Sequence, residues 1–175
     1  MPTSTVGKLK RSAHLFYIDT TFGGSTPSWY LVGKDVEDMS IELNPDVETK
    51  KNILDETTVN DNGYEPSISV DTYYANPSDG NFYTKIKDIA MNRKTGDSCK
   101  TKILEVLVDK ESGPYDAWTE DAVIKPQSYG GAQGGISIPY NVHFNGNRVQ
   151  GKITITLTDK VPGTFEPNTP NTPNT

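Results

Sequence analysis

The segment ISIPYNVHFNGNRVQGKITITL, residues 136–157, constrains the fold more than any other stretch of the chain. Apolar side chains recur at every second position before Asn145-Gly146 and again after it, which is the period of a β-strand. Asn-Gly is the dipeptide favoured in two-residue type I′ turns. Pairing outward from that turn sets Val142 against Val149, Tyr140 against Gly151, Ile138 against Ile153 and Ile136 against Ile155. The pattern predicts a hairpin with one apolar face. Its other face would carry His143 with Arg148, Asn141 with Gln150, Pro139 with Lys152 and Ser137 with Thr154, continuing to Thr156. Pro139 has no N–H to give a ladder and predicts an edge or a bulge.

Further strands are predicted at residues 14–18, 29–33, 36–44, 66–74, 102–108 and 121–129. In VEDMSIELN, residues 36–44, Met39, Ile41 and Leu43 alternate with Asp38, Ser40, Glu42 and Asn44. KILEVLV, residues 102–108, is apolar on both sides and belongs in the middle of a core or at a subunit interface. One helix is predicted over 79–93, where Phe82, Ile86, Ile89 and Ala90 share a face, Ser78 or Asp79 caps the start and Gly96 stops it. Many short strands with one helix predict a mainly β fold, a β-sandwich or barrel-like domain with a flanking helix. The domain spans 13–160, preceded by an N-terminal arm, 1–12, and followed by a Pro/Asn/Thr-rich tail, 161–175. Residues 45–65 form a long arm, too polar for a core and too rich in β-formers for a linker.

Composition excludes several classes of function. At 175 residues the chain suffices for one core, and no apolar run approaches the ~20 residues of a membrane span. The apolar patch near the N-terminus is too short for a secretory signal, which predicts a cytoplasmic product. One cysteine, Cys99, permits no intrachain disulfide, and two histidines are too few for a histidine zinc site. A net charge of −6 argues against a phosphate-gripping surface. Cys99 lies in the polar turn DSCKT and reads as a surface or half-buried thiol rather than a nucleophile. Glu37-Asp38 and Asp55-Glu56 are adjacent pairs on strands, so neither converges as a glycosidase pair must. NDNGYE lacks calcium-loop spacing and reads as a turn, while GGAQGG lacks the GK[ST] of a phosphate loop and reads as close backbone approach. Trp29 and Trp118 leave a carbohydrate-binding β-sandwich as the alternative. No enzyme activity, cofactor or metal is predicted.

Three predicted strands pair an apolar face with a polar one: Asp38, Ser40 and Glu42; Ser67, Ser69 and Asp71; and Lys152, Thr154 and Thr156. Such sheets have unprotected edges, and joining subunits edge to edge removes that liability. The segments NPDVETKKNILDET, GYEPS and SYGG…IPYNVHFNGNRVQGK, in this order, resemble the major tail tube proteins of long-tailed bacteriophages over roughly residues 15–160. The Pro-Asn-Thr tail falls outside the resemblance. It implies a β-sandwich with a flanking helix, six subunits in a ring and rings stacked into a tube, each subunit giving four strands to a continuous inner barrel. With ~4.8 Å between strands and ~40° tilt, such a barrel has a diameter of about 50 Å, wide enough for duplex DNA. The polar residues just named would line the lumen. The arm would reach the adjacent ring through Asp46, Glu48, Lys50, Lys51, Asp55 and Glu56, with Val47, Ile53 and Leu54 docking into a neighbour. The implied partners are further copies of the chain, the tape measure protein, the tail terminator and baseplate proteins. Double-stranded DNA would pass without sequence-specific binding, in a virion tail assembled in the host cytoplasm.

Overall fold

The computed structural model describes residues 7–169, so the first half of the predicted N-terminal arm and the end of the Pro-Asn-Thr tail lie outside the described residues. In chain order the strands and helix are β1 (His14–Asp19), β2 (Trp29–Leu31), β3 (Ile41–Glu42), β4 (Pro45–Lys51), β5 (Thr57–Tyr64), β6 (Ser67–Val70), α1 (Asn81–Asn92), β7 (Lys100–Leu107), β8 (Tyr115–Pro126), β9 (Tyr140–Phe144), β10 (Val149–Ile153), β11 (Ile155–Thr156), β12 (Val161–Pro162) and β13 (Glu166–Pro167). Nine strands form one antiparallel sheet, curled into a half barrel, in the order β2-β1-β7-β8-β9-β6-β3 with β10 and β13 branching from β8. Among the described residues the fold is mainly β with one α-helix, and β7 is a central strand, buried along most of its length.

The predicted Asn145-Gly146 hairpin does not form. β9 pairs with Ala122–Pro126 of β8, and β10 pairs with Tyr115–Thr119 of the same strand. The chain therefore runs straight past Asn145-Gly146 along one neighbour. The offset changes by two residues, from Ala122 opposite Phe144 to Thr119 opposite Val149. Asn145 and Gly146 fill a bulge, held by hydrogen bonds from Asn145 N–H to Asp121 O (2.7 Å) and from Asp121 N–H to Gly146 O (3.0 Å). Gly146 and Asn147 both adopt positive φ, as a bulge of this kind requires. β9 begins just after Pro139, where the missing N–H costs nothing.

That bulge marks the place where the core changes sides. In β8 the buried residues are Tyr115 and Ala117, then Glu120, Ala122 and Ile124, so the buried parity flips between Ala117 and Glu120. In β9 the buried residues are Tyr140 and Val142, whereas in β10 they are Gly151 and Ile153. An even shift preserves parity, so the two sets point to opposite faces of one sheet. One face carries the larger core, built from Phe16, Ile18, Ile68, Ile103, Ile124, Val142 and the helix residues Phe82 and Ile86. The other carries a smaller core of Leu15, Tyr17, Leu104, Val106, Tyr115 and Ile153, roofed partly by Phe165. Each of these fully buried side chains is worth about 1.5–3 kcal/mol of transfer free energy.

Helix α1 buries Phe82, Ile86 and Ile89. Phe82 stacks on Tyr30 at 4.1 Å between ring centroids and meets Tyr73 edge-on at 5.0 Å. The predicted caps are displaced. Gly80 occupies the N-cap, and Arg93 ends the helix in the left-handed region at φ 51°, three residues before Gly96. The strand predicted over 36–44 pairs only at Ile41–Glu42; Met39 is buried beside it, while Leu43 is 54% exposed.

Candidate functional site

Three strands and half of a fourth bring part of the predicted polar set together. Glu42 lies opposite Ser67, Ser67 opposite His143, and His143 opposite Val123. In the next rung Ser69 faces Asn141, which faces Lys125. Paired residues share a face, so Glu42, Ser67, Ser69, Asn141 and His143 form one polar surface on the side of the sheet away from α1. The Ser69 hydroxyl donates to Asp71 Oδ1 at 2.8 Å, tying Asp71 to it. Ser40 is exposed just before β3, and Asp38 is exposed in the preceding loop. Glu42 and Asp71 enter no ion pair among the described residues.

Lys152, Thr154 and Thr156 are not brought to that surface. Lys152 opposes Asp116, on the other side of the sheet, and its ammonium bonds the Asp116 carboxylate. That contact holds the Asp116 carboxyl below the usual range, against a smaller opposing effect of burial. Thr154 O accepts from Gly163 N–H, and Thr156 pairs with Val161. The two groups looked alike in sequence because both alternate with apolar residues; only the change of core face separates them.

Residues 45–65 form a projecting antiparallel hairpin, β4 with β5, separate from the main sheet. Every residue of β4 is exposed, as is all of β5 except Gly63. NDNGYE is thus strand rather than turn, with Gly63 at φ 95° beside a one-residue register slip. The tip is tightly organised. Asn52 Oδ1 accepts from the N–H groups of Leu54 (2.8 Å) and Glu56 (3.1 Å), and Asn52 Nδ2 donates to Glu56 Oε2 at 2.6 Å. This holds Ile53 fully exposed and Leu54 73% exposed, with Asp55 in the left-handed region at φ 64°. Register places Val47, Thr49, Lys51, Thr57 and Val59 on one hairpin face. The other face carries Glu48, Lys50, Thr58 and Asn60, with Lys50 and Glu48 paired at 3.1 Å.

Sequence reasoning missed a buried charge cluster. Glu105 and Glu120 are 6% and 7% exposed, and Arg148 Nη1 bridges them at 2.9 and 2.8 Å. His14 Nε2 lies 3.4 Å from Glu105 Oε2, and the Arg148 guanidinium sits 5.7 Å from the Trp118 ring centre. Burial alone would raise the Glu105 carboxyl, but hydrogen bonds from His14 and Arg148 outweigh it and leave it below its ordinary value. The alternation on its own places Arg148 opposite His143; the bulge sends it instead to β7 and β8. With both carboxylates occupied by one guanidinium, the cluster is an internal brace.

The other candidates disperse. Trp118 lies on the same side of the sheet as Glu120, whereas Trp29, opposite Asp19, packs on the smaller core of the other side, so they form no shared platform. Cys99 is completely buried rather than half exposed, its thiol donating to Lys94 O at 3.3 Å. Glu37 and Asp38 are exposed in a loop, and Asp55 and Glu56 sit at the hairpin tip. In GGAQGG a side chain on Gly135 would press on the Tyr74 ring at 3.2 Å, so close approach is the reason for glycine there. Among the described residues no three His, Cys, Asp or Glu side chains are grouped to hold a metal, and no helix is long and apolar enough to cross a membrane.

The fold has counterparts among solved structures. A subunit of the SPP1 tail tube, known from solid-state NMR and cryo-EM, superimposes with a TM-score of 0.64 at 17% identity, covering 87% of this chain and 84% of that one. This is the tail-tube fold. The tube-terminating cap of the anti-feeding prophage also matches it, with a TM-score of 0.50 at 12% identity over 85% of this chain and 93% of that one. No protein-family model matches the sequence, and no curated protein sequence does. The tail-tube fold is thus legible in the backbone where overall sequence identity is low.

Proposed function

We propose that the protein is a structural subunit of a phage tail tube, assembling as hexameric rings that stack into a channel for the genome. The observation that carries this reading is the likeness to the SPP1 tail tube subunit over most of both chains. The edges of the sheet are consistent with assembly. Among the described residues β3 pairs only with β6 and leaves its outer edge open, so a second copy can extend the sheet there. On this reading the surface of Glu42, Ser67, Ser69 and Asp71, with Asn141 and His143, lines the lumen, and the hairpin of residues 45–65 reaches the next ring.

The lumen works through charge rather than chemistry. Lys102 is paired with Asp121 and Lys100 with Asp97, both at 2.7 Å, which leaves Glu42 and Asp71 as unpaired carboxylates against one unpaired cation in register with them, Lys125. Lys125 donates to the Lys94 carbonyl at the helix end. Repeated around a ring, carboxylates in excess over unpaired cations repel phosphate and keep DNA sliding. The protein then needs no catalytic group, and Arg148 and Lys152, engaged on the opposite side of the sheet, do not offset the wall charge.

Sedimentation velocity across a hundredfold concentration range tests self-association. Species of six subunits or larger are expected to grow with concentration. A monomer at every concentration, together with specific retention on immobilised glycans, would replace the tube reading with a sugar-binding one.

A further inference from the structure

A groove of about 540 Å³ lies between the C-terminal end of α1 and the end of β8. Ile89, Ala90 and Pro126 form its apolar floor, and Arg93, Lys94 and Lys125 stand at its rim. Asp88 neutralises Lys94 at 2.5 Å, while Arg93 enters no ion pair among the described residues. The groove is therefore apolar below and net positive above.

The hairpin tip has the complementary character. Ile53 and Leu54 are its two most exposed apolar side chains, and they are held out by a turn that Asn52 braces with three hydrogen bonds. Rigid exposed apolar groups lose little entropy on binding, which favours association. Asp55 beside them enters no ion pair among the described residues, while Glu56 is engaged by Asn52. Two apolar side chains followed by an open carboxylate match an apolar floor with a cationic rim.

We propose that the hairpin tip of one copy seats in this groove on a second copy, with Ile53 and Leu54 on the floor and Asp55 against Arg93 and Lys125. The inference rests on the proposed role of the hairpin and adds the place where it docks. A contact between an arm on one copy and a groove elsewhere on the next is heterologous, so it propagates along a stack instead of closing on a pair.

A charge exchange tests it. Arg93→Glu and Asp55→Lys each alter an exposed side chain, and each is expected to raise the concentration needed for tube growth about tenfold, the loss typical of a close interfacial charge pair. Combined, they are expected to restore growth to within about threefold of the unmodified protein, because the reversed pair is again complementary. Far-UV circular dichroism and the urea midpoint check that each variant folds. The docking is overturned if the double variant assembles no better than the worse single variant, or if Arg93→Glu assembles normally; in both cases tubes of the unmodified protein keep the tube reading intact. Failure of the unmodified protein to self-associate overturns the tube reading and the docking together. Independently, Gln127 also lines the groove, and Leu54→Cys with Gln127→Cys, oxidised after assembly, should give disulfide-linked ladders of subunits; assembled tubes without a ladder would place the tip elsewhere.

Discussion

Glu105 sits in a run, KILEVLV, that reads as continuous core, yet its carboxylate is buried with Glu120 around one guanidinium. Nothing in the spacing of Glu105, Glu120, Arg148 and His14 announces the cluster, because β7, β8 and the bulge converge only after the register is set. Its energetics follow from burial: removing Arg148 leaves two desolvated carboxylates without their donor. Arg148→Met is expected to cost roughly 1–3 kcal/mol at neutral pH, the penalty for unmaking buried charged hydrogen bonds, with the half-exposed guanidinium keeping it below a fully buried pair. Since the folded Glu105 carboxyl is held below its ordinary value, its contribution is present above that value and is lost as pH falls through the lower folded one. The unmodified protein should lose more stability than Arg148→Met between neutral pH and about pH 3, measured by urea unfolding. Parallel pH profiles would show that the brace carries no linkage. Gly151 is a second residue whose reason is invisible in sequence: a side chain there would overlap the Phe165 ring and the Glu166 carbonyl, because β13 closes over it.

At the scale of elements, the alternating runs were readable and their partners were not. β1, β2, β6, β7 and α1 fall where apolar periodicity puts them, since each buries a face whose period is fixed by its backbone. Asn145-Gly146 misled because the same positive-φ tolerance serves a type I′ turn and a bulge, and local sequence cannot tell which neighbour the chain will meet. The first half of β8, YDAWTE, carries no readable strand signal: its buried positions change parity at the point where the core changes face, so no single alternation runs through it. The arm was legible as polar and β-rich, but its closure into a hairpin depends on the Asn52 turn. Since β4 and β5 bury no side chain of their own, replacing residues 46–63 with a short Gly-Ser turn should shift the urea midpoint little while abolishing tube growth. Tubes of normal length from that variant would remove the hairpin from assembly.

For the whole molecule, one feature of the sheet organises the rest. Because its core lies on one face at the β6–β9 end and on both faces around β1 and β7, the β3-β6-β9 end keeps one bare polar side while the other end is packed on both sides. The bare side presents Glu42, Ser67, Ser69 and Asp71; the helix closes the opposite side; the hairpin projects beyond both. A monomer has little use for an open edge, a bare polar sheet face and a rigid apolar tip together, and the stacked ring we propose would use all three. Electron microscopy of the purified protein at high concentration tests this most directly. Hollow tubes with sixfold end views and a stain-filled lumen wide enough for duplex DNA are expected, whereas isolated monomers or solid fibres without a lumen would rule out the tube assembly.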